Sequence, residues 1–221
     1  MAWEAADAGE AAVSEADADN WIARSASHAA TALEDDRPER GSREMQNDAD
    51  LAEVARFHGH LCPGLAIGYR AAKVALEALA AERAEDEELI AIVENDSCSA
   101  DAVQYVTGCT FGKGNLFFRD YGKQAFTLAL RPSGRAVRIA LKARPQAEPE
   151  SQDREARTNW LLQAPVEDLF DVKVMPISLP EPAQIRESVV CDACGEAVMI
   201  TRAVERAGRT LCIPCSEEQD G

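Results

Sequence analysis

Two short segments of the chain combine residue types that can bind a metal or act as nucleophiles. FHGHLCPG holds His58, His60 and Cys62 within five residues, and DSCSAD holds Cys98. Thiolate sulfur and imidazole nitrogen are donors that suit zinc, iron or nickel, and a thiolate also attacks electrophiles. The segments are therefore candidates for a reactive site or for parts of a metal site, and the alternative is a pair of polar turns.

Both cysteines fall where helices are predicted to begin. Pro63 suits the first turn of a helix, so Cys62 lies at or beside the N-cap, and Cys98 follows the cap candidates Asp96 and Ser97. Unpaired backbone N–H groups and the helix dipole stabilise a thiolate at such positions. We therefore expect the cysteines and histidines of this part of the chain to meet where helix N-termini and loops come together.

Cys109 is the third cysteine of this region, and it precedes the glycine-rich stretch TFGKGN. We expect it to join the same gathering of side chains. GKGN lacks the G-x-x-x-x-G-K-[ST] frame of a phosphate loop, so a tight turn that carries Lys113 is the favoured interpretation. For each histidine and cysteine, the structural alternative is a side chain that is simply buried or solvated.

The C-terminal segment contains four cysteines in the pattern C-x2-C-x17-C-x2-C, within the range of four-cysteine zinc ribbons. Each pair makes a tight turn that aims two thiolates at one point, and two pairs complete a closed tetrahedron. We predict a structural zinc ion bound by Cys191, Cys194, Cys212 and Cys215. Two redox-active dithiols are the alternative. A module this small buries little apolar surface, so zinc should supply most of its folding free energy.

The distribution of charge bears on possible partners. Residues 191–215 carry three arginines against three acidic residues, which favours contact with protein, or packing within the chain, over nucleic acid. The whole chain has a formal net charge of -16, and residues 51–150 contribute only -1 of it. The central region is therefore not dominated by a phosphate-binding surface.

The chain shows no membrane or export pattern. No apolar run approaches the roughly 20 residues of a membrane span, and the N-terminus lacks the features of a signal peptide. We therefore expect no membrane contact and a cytoplasmic protein. Seven cysteines in such a chain indicate metal or redox chemistry more than disulfides.

The elements that must position these residues indicate a mixed core of helices and strands. Apolar residues recur at three- and four-residue spacing through PGLAIGYRAAKVALEALAAER, which predicts a helix, and the apolar run Leu89–Val93 predicts a central strand. NDSCSADAVQYVTG predicts another helix, ended by Gly108, and an earlier one is capped by Asn47 or Asp48. KQAFTLAL, GRAVRIALK and VKVMPISL are predicted strands, CTFGKGNLFFRDYG a loop, and TNWLLQAPVEDLFDV one or two short helices.

This order of elements predicts an α+β fold class, with a mixed helix and sheet core followed by a small zinc ribbon. The predicted core domain covers residues 46–180, the linker residues 181–190 and the ribbon residues 191–221. Residues 1–45 are acidic and poor in large apolar side chains, and we expect them to be disordered.

Three stretches of the sequence resemble one family. FHGHLCPGLAIGYRAA, DSCSADAVQYVTGCTFGKGNL and CDACGEAV…LCIPC look like the FmdE family, named for a component of molybdenum formylmethanofuran dehydrogenase, over residues 50–215. The resemblance implies an α+β core that forms an intertwined homodimer, often followed by a zinc ribbon. It also implies a metal-binding cleft at the positions of His60, Cys62, Cys98 and Cys109.

Residues and resemblance together lead to one expected site. We expect an open transition-metal or thiol site made of His60, Cys62 and Cys98, with the two cysteines as candidate catalytic residues and zinc, iron or nickel as the metal. His58 is expected to serve structure only. The expected function is that of a metal-binding protein auxiliary to a molybdenum or tungsten oxidoreductase of the formylmethanofuran dehydrogenase type, with a component of that enzyme as partner. The alternative is a non-enzymatic adaptor or regulator that binds protein or nucleic acid through its ribbon.

Overall fold

The computed structural model describes residues 49–131, 133–143, 145 and 153–218. The chain divides into two compact units, one that extends to Glu181 and one that begins at Pro182. The extension predicted to be disordered, residues 1–45, lies outside the described residues, as do the cap candidates Asn47 and Asp48. Within the described ranges, no helix combines the length and the apolar character that crossing a membrane requires.

The first unit mixes helices and strands along the chain. In order, they are α1 (Ala49–His58), α2 (Pro63–Leu79), β1 (Leu89–Val93), α3 (Cys98–Thr107), β2 (Leu116–Phe118), β3 (Ala125–Leu130), β4 (Arg135–Leu141), α4 (Arg154–Gln163), α5 (Val166–Leu169) and β5 (Phe170–Pro176). The strands form one sheet in the order β2-β1-β3-β4-β5. β1 and β2 are parallel, and the other three pairs are antiparallel.

The main buried apolar cluster of this unit lies on one face of the sheet. Ala91, Leu128 and Val137 form a row across β1, β3 and β4, because paired residues in neighbouring strands point to the same side. These side chains belong to the same buried apolar cluster as Leu65 and Tyr69 of α2. α2 also contacts α3, α4 and β4. This packing fixes the position of α2 and, with it, the position of its N-terminus.

The predicted α+β fold class is confirmed. The helix predicted from Pro63 runs to Leu79, and the predicted strand Leu89–Val93 has those bounds. The prediction of a loop over CTFGKGNLFFRDYG is wrong in part, because Leu116–Phe118 forms β2. Three residues are too few to show an alternating pattern, and the strand is defined by its pairing with β1.

The second unit is built from short elements. They are β6 (Ser188–Val190), β7 (Ala197–Met199), a 3-10 helix (Ile200–Arg202), β8 (Ala203–Arg206), β9 (Arg209–Cys212) and α6 (Ile213–Glu217). β6 pairs with β7 and β8 pairs with β9, both in antiparallel fashion. Cys191 and Leu211 are buried, whereas Val190, Met199 and Ile200 are exposed. So little buried apolar surface supplies little stability.

Candidate metal centres

The N-terminus of α2 positions the first cysteine. Cys62 is the N-cap with an extended backbone, and its buried Sγ accepts a hydrogen bond from the Leu65 backbone N–H at 3.4 Å. Pro63 follows at the start of the helix, as predicted. The sulfur takes the place of the usual cap oxygen, so it satisfies one of the N–H groups that a helix start leaves unpaired.

A polar network holds the start of α3, where Cys98 is the first residue. Asn95 Oδ1 accepts hydrogen bonds from the Ser97 backbone N–H at 3.1 Å and from the Ser97 hydroxyl at 2.7 Å. The buried Ser99 hydroxyl lies 3.0 Å from the same oxygen and 2.9 Å from Oε1 of Gln124, the residue before β3. The network ties the first turn of α3 to the sheet and so fixes the position of Cys98.

Two glycines let α2 and α3 approach each other closely. A Cβ on Gly68 would lie 2.2 Å from the carbonyl oxygen of Ser99, and a Cβ on Gly64 would lie 3.2 Å from Cys98 Cβ. The glycines are four residues apart, so they lie on one face of α2. Any larger side chain at Gly68 would push the helices apart. The glycines therefore bring Cys98 up to Cys62.

The turn after α1 places two imidazole rings near these cysteines. Gly59 has a left-handed backbone with φ +101°, and the ring centroids of His58 and His60 on either side of it lie 4.7 Å apart. His58 Nδ1 lies 2.7 Å from Asp101 Oδ2, in the first turn of α3, and donates its hydrogen to that carboxylate. His58 Nε2 is buried and has no hydrogen-bond partner among the described residues. Its lone pair is therefore not used by any described hydrogen-bond donor.

His58, His60, Cys62 and Cys98 form one group, which we term the core cluster, and one donor atom of each lies within 4.8 Å of all the others. Donors around a tetrahedral zinc ion are about 3.3–3.8 Å apart, so small side-chain adjustments would close this group around a metal. The unpartnered Nε2 of His58 agrees with such a fit, because a buried acceptor without a partner is costly. The donor set is two sulfurs and two nitrogens.

The core cluster thus contains the three predicted residues, His60, Cys62 and Cys98, and one that prediction had set aside. His58, for which only a structural role was expected, lies at the same distance range as the three predicted donors. The pairing of His58 with Asp101 spans 43 positions of the chain. A tertiary contact of this kind leaves no local pattern in the sequence, which is why sequence analysis missed it.

Cys109 does not join the core cluster, contrary to expectation. Its buried thiol donates to the Leu89 carbonyl oxygen at 3.4 Å, and burial raises its pKa to about 11. It therefore remains a neutral thiol that packs in the core. Lys113 donates to the carbonyl oxygens of Ala84 and Glu85, at 3.2 Å each, so the predicted tight turn is also a structural feature.

The thiol of Cys98 differs from what its position at a helix start predicts. Burial raises its pKa, and the hydrogen bond with Cys62 and the charge of that neighbouring sulfur raise it further. In the metal-free protein the thiolate is therefore not favoured at Cys98, and the expected stabilisation by the helix N-terminus is outweighed. A bound cation reverses this balance, because a coordinated thiol is deprotonated.

The second group of donors, which we term the ribbon cluster, consists of the four C-terminal cysteines. The Sγ atoms of Cys191, Cys194, Cys212 and Cys215 all lie within 4.8 Å of one another, and those of Cys194 and Cys212 are 3.9 Å apart. The first pair turns at Gly195, which has φ +76° and donates its N–H to the Cys191 carbonyl oxygen at 2.9 Å. Four converging sulfurs without a nitrogen or oxygen donor are the set that structural zinc prefers.

Backbone N–H groups prepare this cluster for a cation. Hydrogen bonds from the backbone of Cys194, Cys212 and Ala193 lower the pKa of Cys191 to about 6. The Cys212 N–H donates to Cys191 Sγ at 3.2 Å. In contrast, hydrogen bonding with Cys212 raises the pKa of Cys215 to about 12 in the metal-free protein. Cys191 therefore ionises more readily than Cys215.

An open cavity of about 460 Å³ borders the core cluster. It is lined by His60, Leu61, Pro63, Arg154, Glu155, Thr158 and Asn159. The last four belong to α4, whose other end is anchored to α2: the buried Arg70 guanidinium donates to the carbonyl oxygens of Leu161, Leu162 and Ala164, at 2.6–3.0 Å. Of the four donors of the core cluster, His60 alone lines the cavity.

The fold and the two clusters define a class of α+β proteins that carry one mixed histidine and cysteine centre and one four-cysteine centre. The family model described as "FmdE, Molybdenum formylmethanofuran dehydrogenase operon" matches residues 57–171, and the chain belongs to this family. A model described as "Prokaryotic dksA/traR C4-type zinc finger" matches residues 184–220. Both matches indicate a protein that binds metal, with zinc at the C-terminal cysteines.

Two known proteins extend this comparison. A "Probable S-adenosyl-L-methionine-binding protein" from Archaeoglobus fulgidus is 31% identical over 194 residues, which cover 75% of this chain and 52% of the relative. The chain therefore spans about half the length of that relative. The crystal structure of a "tungsten formylmethanofuran dehydrogenase subunit e (fmde)-like protein" from Syntrophus aciditrophicus matches with a TM-score of 0.60 and 24% identity, over 77% of this chain and 92% of the other. That likeness supports the shared fold.

Proposed function

We propose that this protein binds two metal ions per chain, a structural zinc ion in the ribbon cluster and an exchangeable transition-metal ion in the core cluster. The observation that carries the second site is the convergence of two imidazoles and two thiols within 4.8 Å, with His58 Nε2 buried and unpartnered among the described residues. Cys62 and Cys98 would bind as thiolates and neutralise a divalent charge. Sulfur and imidazole donors suit zinc, iron or nickel.

The four donors of the core cluster differ in how firmly they are held. Cys62 is fixed as a helix cap, Cys98 by the first turn of α3, and His58 by its bond to Asp101. His60 is exposed and lines the cavity. It is the donor that a water or substrate can most easily replace, and a metal opened in this way supplies a Lewis acid.

Metal content tests this proposal directly. Full-length protein purified with zinc should contain two metal ions per chain, and the Cys62→Ser/Cys98→Ser variant should contain one. The Cys191→Ser/Cys194→Ser variant should also contain one metal ion. The Cys109→Ser variant, which removes a buried cysteine that belongs to neither cluster, should retain two metal ions. A wild-type chain with a single ion, lost only when ribbon cysteines change, would contradict the core site.

The description of the family supports a place beside an oxidoreductase. We extend the proposal to an auxiliary role with a molybdenum or tungsten enzyme of the formylmethanofuran dehydrogenase type, carried out by a homodimer. Analytical ultracentrifugation of the metal-loaded protein should give twice the chain mass. Affinity purification from the native host should recover the oxidoreductase together with this chain. Recovery of the chain alone, both with and without bound metal, would contradict the auxiliary role.

A second candidate function is binding of S-adenosyl-L-methionine. The relative that carries this description is 31% identical, and the cavity beside His60, about 460 Å³, is within the size range of small-molecule sites. Titration calorimetry with S-adenosyl-L-methionine, and with adenosine as control, tests it. Heat with the first ligand and none with adenosine supports the candidate, and no heat with either removes it.

A further inference from the structure

We infer that the cavity between the His60 turn and the first turn of α4 binds a small zwitterionic ligand of the α-amino-acid type, with Arg154 pairing its carboxylate and Glu155 its ammonium group. This inference rests on the proposed function, because His60 forms the wall of the cavity as a donor of the core cluster. It adds the chemical class of the ligand and the residues that select it.

The first argument is the pair of opposite charges on one wall. Arg154 and Glu155 are consecutive residues at the start of α4, and both line the cavity. Consecutive positions on a helix do not face each other, so the two side chains do not neutralise one another along the helix. A simple anion in the cavity would meet the Glu155 carboxylate, and a simple cation would meet the Arg154 guanidinium. A ligand with both charges satisfies both residues.

The second argument is that Arg154 does not stabilise the helix on which it lies. It occupies the first position of α4, where the helix dipole is positive and a cation is unfavourable. Asp153 already caps this helix, since its Oδ1 accepts the Glu155 N–H at 3.0 Å. The guanidinium at this position is therefore better explained by the cavity that it lines. A guanidinium binds carboxylates through paired N–H donors.

The rest of the lining fits the same ligand. The buried Thr158 hydroxyl donates to the Arg154 carbonyl oxygen at 2.7 Å, so its lone pairs are acceptors for a ligand ammonium group. Leu61 and Pro63 give an apolar surface for a side chain. Because His60 joins the cavity to the core cluster, a bound ligand would also alter the surroundings of the metal.

Three ligands that share the isobutyl group of leucine test the inference. Zinc-loaded full-length protein is titrated by calorimetry with L-leucine, with 4-methylpentanoate, which lacks the amino group, and with 3-methylbutylamine, which lacks the carboxylate. We expect L-leucine to bind about two- to fivefold more tightly than either single-charge analogue, the difference that one exposed charge pair supplies. With cobalt in place of zinc, L-leucine should shift the visible absorption of the wild-type protein and leave that of Cys62→Ser/Cys98→Ser unchanged.

Two variants assign the selectivity to residues. Arg154→Ala should abolish the preference of the protein for L-leucine over 3-methylbutylamine. Glu155→Gln should abolish the preference of the protein for L-leucine over 4-methylpentanoate. Both residues are exposed, so the fold should persist, and an unchanged Tm checks this. Arg119→Ala is the matched control, since Arg119 is an exposed arginine of the same unit that does not line the cavity. It should leave all three affinities unchanged.

The outcomes separate this inference from the proposal on which it rests. Absence of binding by all three ligands, in protein that holds two metals per chain, overturns the inference and leaves the proposed function intact. Equal affinity for L-leucine and 4-methylpentanoate overturns it in favour of a simple anion site. One metal per chain with the full preference for L-leucine supports the recognition by Arg154 and Glu155 and removes the proposed function.

Discussion

The core cluster and the ribbon cluster both gather four donors within 4.8 Å, but the chain builds them in opposite ways. The ribbon donors come from the turn after β6 and from the junction of β9 and α6. This unit has few buried apolar side chains, and Leu211 is the fully buried large residue among those described. The core donors come from the end of α1, the turn between α1 and α2, and the start of α3, in a unit whose helices pack on a five-stranded sheet. Under the proposed function, zinc would fold the ribbon, whereas the packed helices and sheet bring the donors of the core cluster together without a metal.

The largest expected effect is on the ribbon. Removing its zinc with a chelator, or replacing Cys212 with serine, should unfold the second unit, because structural zinc contributes about 10–16 kcal/mol in modules of this size. Hydrogen exchange should then be fast for the amides of β6 to β9 and unchanged for β1, β3 and β4. Protected ribbon amides in metal-free protein would show that this unit has a core of its own.

The next effect tests whether helix packing builds the core site. Gly68→Ala places a Cβ within 2.2 Å of the Ser99 carbonyl oxygen, so α2 and α3 must separate. We expect a loss of about 3 kcal/mol in the free energy of unfolding and loss of the core metal, with the ribbon zinc retained. Urea unfolding and metal content measure both.

Gly112→Ala is the matched control for this change. Gly112 has no neighbouring atom within 4 Å of an added Cβ, and its backbone is not left-handed. The control should bind two metals and unfold as the wild type does. If Gly68→Ala also kept both metals, the close approach of the helices would not be what positions Cys98.

A smaller effect is expected from Asp101. Asp101→Asn removes the carboxylate that accepts from His58 Nδ1 at 2.7 Å, and residues that orient a metal-bound histidine typically contribute about 10- to 100-fold in affinity. We expect a loss of that size, or about 1.4–2.7 kcal/mol, at the core site alone. Competition with a fluorescent zinc chelator measures it. Asp96→Asn, at an exposed position just before α3, should leave the affinity unchanged.

The smallest effect concerns the cysteine that belongs to neither cluster. Burial raises the pKa of Cys109 to about 11, so the native state keeps the proton that the unfolded state loses first. This contribution to stability is complete below about pH 9 and is lost as the pH rises towards 11, by about 1 kcal/mol between pH 8 and pH 10. Cys109→Ala should flatten the alkaline fall in unfolding free energy by that amount. An identical pH dependence in the variant would show that Cys109 is not a buried neutral thiol.

Local patterns in the sequence predict much of this fold. The spacing of apolar residues in α2, the continuous apolar run of β1 and the glycine that ends α3 are features of single segments, and each is recognisable without the structure. β2 was missed because three residues carry no periodicity, and its parallel pairing with β1 depends on α3 lying between them in the chain. The long helices and strands are sufficient to predict the α+β class. They do not predict the order of the strands in the sheet.

The ribbon cluster and the core cluster also differ in how far local sequence patterns predict them. The ribbon cluster is contained in one spacing pattern, whereas the core cluster depends on contacts between segments far apart. Helix-cap chemistry predicts the places of Cys62 and Cys98, but the pairing of His58 with Asp101 and the contact of Gly68 with Ser99 exist only after α1, α2 and α3 have packed. Arg154 lies far from His60 along the chain, so no local pattern in the sequence predicts that both line one cavity.

Anomalous diffraction at the absorption edge of the bound metal tests the central claim most directly. Crystals of the full chain grown with zinc should show two anomalous peaks per chain, one among the four ribbon sulfurs and one bounded by the sulfurs of Cys62 and Cys98 and by Nε2 of His58. A single peak at the ribbon, with an empty core cluster at saturating zinc, would contradict the account.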